Sequence, residues 1–524
     1  MSDQTFLPIF AFIGEWCSID FGKTSFSRPH LLFGFLLKKM AHLFFLIISQ
    51  IHITMTKKWF LPLTCLAIIT GSTFGFAPQA MAQTSRTGFF METYKYAHQH
   101  NAAMLENRPY TAIPLVGNVY YNASTSHPLN TFFYKNEGTD YKFFTDKTVP
   151  EQLFYERLGN QNVTTNSEFN LNILSFASAF GSGTSLLEVN LRSNTSLEVP
   201  NQLFHYFKNP KLQNDYGFDQ LSLQHRTYGE VALGYAHTVG NHFTVGGKLK
   251  GLVALAYADG KAQDVQVKTG SEQWTASGRA FASVVVGNTE YQFDKKGHFQ
   301  EPKNLSIAPA GWGLATDFGV TYEVHGVEGL TLSAAVTDLG FIHYNKVQKL
   351  GNEVNRKWTI EDAKKRGTNL VNNGNNPLVP NTAPSAVVKK EFEGELQDVL
   401  ALNDNGTAAM TSQLRTTLNL GATYELPFVK HLNVGALYSR YFDGDFQQSQ
   451  LTLGAAWRPI KPVELGVSST FVNNRVNFGT MLTLQAPRFQ VFVGTDVIPT
   501  SFGTDGLLER YASNINLGVT IPLN

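Results

Sequence analysis

The last stretch of the chain constrains the fold more than any other. Ile515, Leu517, Val519, Ile521 and Leu523 are all large and apolar, while Asn514, Asn516, Gly518, Thr520 and Pro522 fall between them. Successive side chains of a β-strand point to opposite faces, so this segment builds one face of hydrocarbon and one of polar groups. The rhythm recurs. In 243–257, Phe243, Val245, Leu249, Val253, Leu255 and Tyr257 share a face, with Lys248 and Lys250 on the other. In 417–425, Leu418, Leu420, Ala422 and Tyr424 oppose Asn419, Gly421, Thr423 and Glu425. Segments 463–471, 476–484 and 489–497 repeat it. Strands of about ten residues with one apolar and one polar face are the signature of an outer-membrane barrel. A soluble β-sandwich also alternates, but strands in globular proteins usually run to only about 5–6 residues. After Gln83 no run of roughly 18 apolar residues exists to form a membrane helix.

Parity orients such a barrel. With the final strand (513–523) descending toward the periplasm, 485–488, 459–462, 426–431, 325–329, 240–242 and 181–184 become periplasmic turns, and all are short. The alternate connections 498–512, 345–413, 288–310, 198–222 and 125–167 are long, and two brief hairpins at 443–447 and 473–474 complete the outer side. Short periplasmic turns with long outer loops are the asymmetry expected of these barrels. The expected fold is therefore all-β: a membrane-spanning antiparallel β-barrel of fourteen strands. It has sixteen if 263–270 and 278–287 also cross; otherwise these two form a hairpin standing above the membrane.

Composition excludes several classes. A formal net charge of +1 with 16% charged residues provides no field for nucleic acid or anionic lipid. Both cysteines, Cys17 and Cys65, lie near the start. Lys57 and Lys58, the apolar run from Trp59 to about Ala77, and Ala80-Met81-Ala82 together read as a secretory signal (55–82) cleaved between Ala82 and Gln83. A lipid anchor on Cys65 is the rival reading, and the preceding Leu-Pro-Leu-Thr fits it poorly. Residues 1–54 read as an upstream extension from a start codon placed too early, or as a long leader. A chain processed after Ala82 keeps no thiol, which removes disulfides, cysteine-ligated zinc and a cysteine nucleophile together.

The inner face holds Gly234, Gly246, Gly421, Gly435, Gly454, Gly466, Gly479, Gly494 and Gly518 near mid-strand. Glycine weakens a strand, so its repetition points either to close approach by an internal plug or to wall curvature. Residues 83–117 lack alternation and precede the first strand at 118–124, which makes them the candidate N-terminal hatch in the lumen. Met91 to Leu105 is expected as a short helix, with an extended segment from Arg108-Pro109. His98 and His100 have no cysteine or carboxylate at ligand spacing and read as polar contacts, so no metal or cofactor is expected.

One strand breaks its own rule. Leu330, Leu332, Ala334 and Val336 share the lipid face, and strict continuation puts Asp338 there next. A carboxylate in hydrocarbon costs on the order of a few kcal/mol at the bilayer centre, less near the interface. Leu339 and Phe341 then carry the apolar positions, so the phase slips by one. A β-bulge around 336–338 turns Asp338 inward, near the lumen-facing Asp317. Asp317 and Asp338 are the luminal binding candidates. In the long outer loop 345–413, a helix is expected from Thr359, with Asp362 three residues on, to Gly367, and a second over 389–402.

The segments "YAHQHNAAMLENRPYTAIPLVGN", "GGKLKG", "GLATDFGVTYEV" and "LTLSAAVTDLGFIHY" resemble an uncharacterised family of Bacteroidota outer-membrane β-barrel proteins. That family is related in fold to the long-chain fatty-acid transporter (FadL-like) superfamily. The similarity runs over 83–524, and Asn101-Ala102-Ala103 stands where relatives often have Asn-Pro-Ala. The resemblance implies a fourteen-stranded barrel, a luminal hatch, and hydrophobic solutes leaving sideways through a wall kink. Two functions follow as expectations: a passive channel for hydrophobic or amphipathic small molecules, or a scaffold or shuttle for secretion partners. An enzyme is not expected, since Gly181–Ser185 lacks the Gly-x-Ser-x-Gly spacing. Expected partners are outer-membrane lipid and a hydrophobic small-molecule ligand, with secretion partners under the second reading and no nucleic acid.

Overall fold

A computed structural model describes residues 84–135, 141–209, 214–270, 273–303, 306, 308–359, 401–472, 475–498 and 512–523. The expected extension (1–54), the signal segment (55–82) and the cleavage pair Ala82 and Gln83 lie outside the described residues, as do the helices expected from Thr359 and over 389–402, apart from their outermost positions.

The wall is a closed antiparallel barrel of fourteen strands. In chain order these are β1 (Tyr110–Ala112 and Val119–Thr125), β2 (Val163–Phe180), β3 (Gly183–Val199), β4 (Ser222–Val239) and β5 (Phe243–Thr269). Next come β6 (Gln273–Val286 and Gly311–Glu323), β7 (Leu330–Thr359), β8 (Asn403–Gln413 and Thr416–Glu425) and β9 (Leu432–Phe442). The circuit continues with β10 (Gln448–Ile460), β11 (Val463–Val472), β12 (Arg475–Gln485), β13 (Gln490–Thr495) and β14 (Ala512–Pro522). Both parts of β1 pair with β14 on one side and β2 on the other, which closes the cylinder.

Three strands are split. β6 descends beside the upper half of β5, leaves the wall through a hairpin (Glu290–Phe293 with Phe299–Lys303), and returns beside the lower half. Residues 263–269 and 278–286 are therefore the tall upper ends of β5 and β6 rather than a further pair of spanning strands. β7 likewise continues to Thr359, so much of the stretch expected as loop 345–413 is strand at both of its ends.

The outer face carries the apolar series. Leu233, Leu249, Leu314, Phe318, Phe478 and Val493 are exposed, as is Ile515 in the terminal strand, whereas Asn514, Asn516 and Thr520 face inward and are buried. A belt of exposed hydrocarbon around a closed sheet whose interior is polar is the arrangement a bilayer requires. No described helix is long and apolar enough to cross a membrane. The protein is an integral outer-membrane barrel. One phase expectation fails: Tyr257 does not share the outer face with Leu249 and Val253 but is buried. The register slips opposite Thr227 and Tyr228, and this turns Tyr257 into the lumen.

At the loop end, α1 (Glu151–Leu158) and α2 (Asn201–Lys208) cover the wall. Phe132, Phe144, Phe154 and Phe204 pack together between them, with Phe144 stacked on Phe154 at 4.6 Å. Lys208 Nζ donates to the carbonyls of Phe144, Asp146 and Val149, fastening α2 over that cluster.

Candidate functional site in the lumen

Residues 84–109 fill the lumen at the end of the short turns. They make three 3₁₀ turns, Thr87–Phe90, Lys95–Gln99 and Ala102–Leu105, in place of the single helix expected over Met91–Leu105. The backbone leaves helical geometry at Met91, Tyr94 and Asn101, each of which is extended. Glu464 of β11 accepts the N–H groups of Glu92 and Thr93 at 2.7 and 2.9 Å together with the Thr93 hydroxyl, and so holds the link between the first two turns against the wall. Asp496, just past β13, holds the start of the first turn in the same way. It accepts from the N–H groups of Arg86 and Thr87, each at 3.0 Å, and from the hydroxyls of Ser85 and Thr87.

The inward glycines divide between the two readings. A methyl group on Gly246 would overlap the backbone of Ala102, on Gly421 the ring of Phe89, and on Gly454 the ring of Phe90. At Gly466 it would meet Met91 and Thr87, at Gly479 Thr87, and at Gly518 the carbonyl of Gly117. A methyl group on Gly435 would meet the wall carbonyl of Ala422 before the Phe90 ring. The other positions make room for the hatch. Gly234 and Gly494 do not, since their neighbours are wall side chains: Leu186 and Lys248 for the first, Met481 for the second.

Above the hatch lies a buried ionic layer. Asp338 has a left-handed φ of 58°, and the β6–β7 register shifts between Thr316 and Phe318, so its side chain turns into the lumen. Its N–H donates to Asp317 Oδ1 at 2.8 Å. Lys250 Nζ sits between the two acids, 2.7 Å from Asp317 and 2.6 Å from Asp338. Arg192 reaches Asp338 at 3.0 Å and Glu230 at 3.3 Å. Lys248 lies 3.7 Å from Glu188 and 3.8 Å from Asp317.

This layer is joined to the hatch. Lys248 Nζ, a donor only, lies 2.9 Å from His98 Nδ1, which fixes that nitrogen as acceptor and leaves the proton on Nε2. Nε2 then donates to the Tyr110 hydroxyl at 2.9 Å, which in turn donates to Ser175 at 2.6 Å. Gln99 donates to Glu188 at 2.8 Å, and His100 Nε2 lies 2.7 Å from the Ser85 carbonyl. Both histidines are thus hydrogen-bonded to protein.

Three arginines cross the lumen to carboxylates on strands that are not their neighbours: Arg192 of β3 to Asp338 of β7, Arg226 of β4 to Asp443 beyond β9 at 2.8 Å, and Arg415 within β8 to Glu168 of β2. All six side chains are buried. A buried pair satisfies its desolvation cost only with close geometry, so these straps hold opposite walls together. On the loop side of the layer, Tyr228, Leu252, Tyr257, Ile342, Tyr344 and Leu414 form a buried apolar cluster on one wall.

Sequence reasoning singled out Asp317 and Asp338 but missed Arg192, Glu230, Lys248 and Lys250, which surround them. Only the placement of Lys248 and Lys250 on an inward face hinted at a charged interior. Asp496 and Glu464 gave no signal, because their partners lie about four hundred residues away in the chain.

The fold is similar to that of several solved structures. These include the toluene transporter TodX of P. putida (9% identity, TM-score 0.38, covering 86% of this chain and 98% of that one). They also include the toluene transporter TbuX of Ralstonia pickettii (12%, 0.37, 81% and 92%) and a FadL homologue of Pseudomonas aeruginosa (10%, 0.37, 86% and 100%). No curated protein matches the chain. One family model, described as "Family of unknown function (DUF5723)", matches residues 102–496, and the chain belongs to that family.

Proposed function

We propose that the protein is a passive outer-membrane channel for hydrophobic or amphipathic small molecules, held shut by its hatch. The observation that carries this reading is the apolar wall inside the barrel. Leu252, Ile342, Tyr344 and Leu414 are turned toward the lumen, next to the ionic layer. A barrel serving water-soluble solutes gains nothing from such a lining, whereas an apolar solute is stabilised by it at roughly 25 cal/mol per Å² removed from water. The hatch is the movable part. It is fastened by hydrogen bonds to two wall carboxylates and by contacts over glycines, none of them covalent.

Flux into lipid vesicles tests this. Vesicles carrying the protein should take up a fluorescent long-chain or polyaromatic probe in a saturable, protein-dependent way and exclude a sugar of similar mass. Ile342→Asn should lower the apolar flux. Equal entry of both probes, or no protein-dependent entry of either, would contradict the reading.

A further inference from the structure

Two buried guanidinium groups in the upper lumen are used in the same half-finished way. Arg86 of the hatch donates through Nη1 to Gln450 at 2.8 Å, and Arg415 donates through Nη1 to Glu168. In both, Nε and Nη2 have no hydrogen-bond partner among the described residues. Those two nitrogens form one edge of the guanidinium plane, with parallel N–H groups that suit a pair of adjacent acceptors. Asp496 stands 3.8 Å from Arg86 Nε and Asp443 4.0 Å from Arg415 Nε, both beyond hydrogen-bond reach.

The two arginines are linked through Gln450 and Tyr441. Gln450, which accepts from Arg86, donates to the Tyr441 hydroxyl at 2.6 Å, and the Arg415 guanidinium lies 6.0 Å from the Tyr441 ring centroid. Across the lumen, β1 and β2 contribute Tyr120 Oη, Ser124 Oγ and Asn166 Oδ1, and β10 contributes Gln448 Oε1; these atoms are likewise buried and unpartnered. Asn166 is paired with Ser124 in register, two positions along β2 from Glu168 on the same face, which ties this set to the carboxylate Arg415 reaches.

The chemistry of the unpartnered atoms selects a ligand. Arg86, Arg226 and Arg415 are balanced by Asp496, Asp443 and Glu168, so the set is formally neutral and an added anion would meet three carboxylates. The unpartnered set contains both donors (two guanidinium edges) and acceptors (two amide oxygens), with hydroxyls that serve either way. A vicinal diol answers both: its oxygens accept from a guanidinium edge and its hydrogens go to the amide oxygens. We infer that Arg86, Arg415, Tyr120, Asn166 and Gln448 form a subsite for a neutral, hydroxyl-rich group, either a sugar or polyol head on an amphipathic solute or a free sugar. It rests on the channel reading only for the ligand's route into the lumen.

Equilibrium binding to the full-length protein in lipid nanodiscs tests this without measuring flux. Octyl glucoside, octyl sulfate and methyl glucoside serve as probes. Octyl glucoside is expected to bind saturably, about tenfold or more weakly in Arg415→Lys, which keeps the charge beside Glu168 but loses the planar edge, and several-fold more weakly in Tyr120→Phe, which loses one hydroxyl. Heat-modifiable migration of each variant reports that the barrel is intact. Competition by methyl glucoside would assign the site to the sugar alone, and its failure to compete would assign the site to a sugar-headed amphiphile. Binding of octyl sulfate as tight as octyl glucoside, unchanged octyl glucoside binding in both variants, or no saturable binding would overturn the inference. Protein that binds octyl glucoside yet passes no apolar probe would leave this subsite standing and remove the channel reading.

Discussion

The backbone N–H of Asp338 donates to the carboxylate of Asp317 at 2.8 Å, across the one place where β6 and β7 fall out of register. Two acids on adjacent strands are thereby held side by side in a buried site, and Lys250 and Arg192 neutralise them. Removing one partner of a buried pair leaves the other charge uncompensated, at a cost of about 3–5 kcal/mol. Asp338→Ala is expected to destabilise the barrel toward the lower end of that range, since it removes one carboxylate from both Arg192 and Lys250, which keep Glu230 and Asp317. Asp338→Asn tolerates the left-handed backbone better but loses the charge, and should fall between Asp338→Ala and the parent protein. Urea unfolding in lipid vesicles measures both, and a loss below about 1 kcal/mol for the alanine variant would show that the layer is not structurally coupled.

The hatch fastening predicts a local effect. Asp496→Asn keeps one acceptor oxygen but surrenders the charge-assisted bonds to the Arg86 and Thr87 amides, each worth about 1.5–3 kcal/mol. Hydrogen exchange of those two amides should accelerate by at least tenfold, with the β10–β12 amides unchanged. Glu464→Gln should do the same for Glu92 and Thr93. Unchanged exchange in both variants would mean that the carboxylates do not hold the hatch.

The glycines yield a comparison within one protein. Gly454→Val places a branched side chain where the Phe90 ring lies, so the hatch must shift and protease access to residues 84–109 should rise. Gly494→Ala meets the Met481 side chain and the Thr480 carbonyl, both of the wall and neither of the hatch, and should leave access unchanged. Equal effects at the two positions would assign the glycines to curvature alone.

At the loop end, Lys208 holds three carbonyls of the 144–149 segment. Lys208→Met keeps the stem length but loses all three bonds. Limited proteolysis from outside intact cells should then cut within 126–162 several-fold faster. No change would place the stability of that segment in the phenylalanine cluster alone.

The fold was legible because lipid imposes a rule on every second residue. The alternation survives in the structure from Asn514 to Ile521 as buried positions between half-buried or exposed ones, and the phase slip at Val336–Asp338 corresponds to a real register shift. Short-range patterns reached no further. The luminal polar residues look, strand by strand, like any solvated face, so nothing in the chain announced that Arg415 would reach Glu168 or Arg226 reach Asp443. The helix expected over Met91–Leu105 is broken at Tyr94 and Asn101, where the backbone is extended and the segment packs against distant wall residues that local propensity cannot register. Tyr257 was misplaced for a related reason: the slip that turns it inward is marked only by the pairing with β4.

The most direct measurement is a lipid-accessibility scan of β14. With Cys17 and Cys65 replaced by serine, the two cysteines of the chain are gone and spin labels can be placed singly at 514–521 in protein reconstituted into vesicles. Collisions with oxygen, which concentrates in the bilayer, should be high at 515, 517, 519 and 521 and low at 514, 516, 518 and 520. Collision profiles without that period, or access to a water-soluble relaxant equal at both sets, would contradict a barrel standing in lipid with its polar face sealed inside.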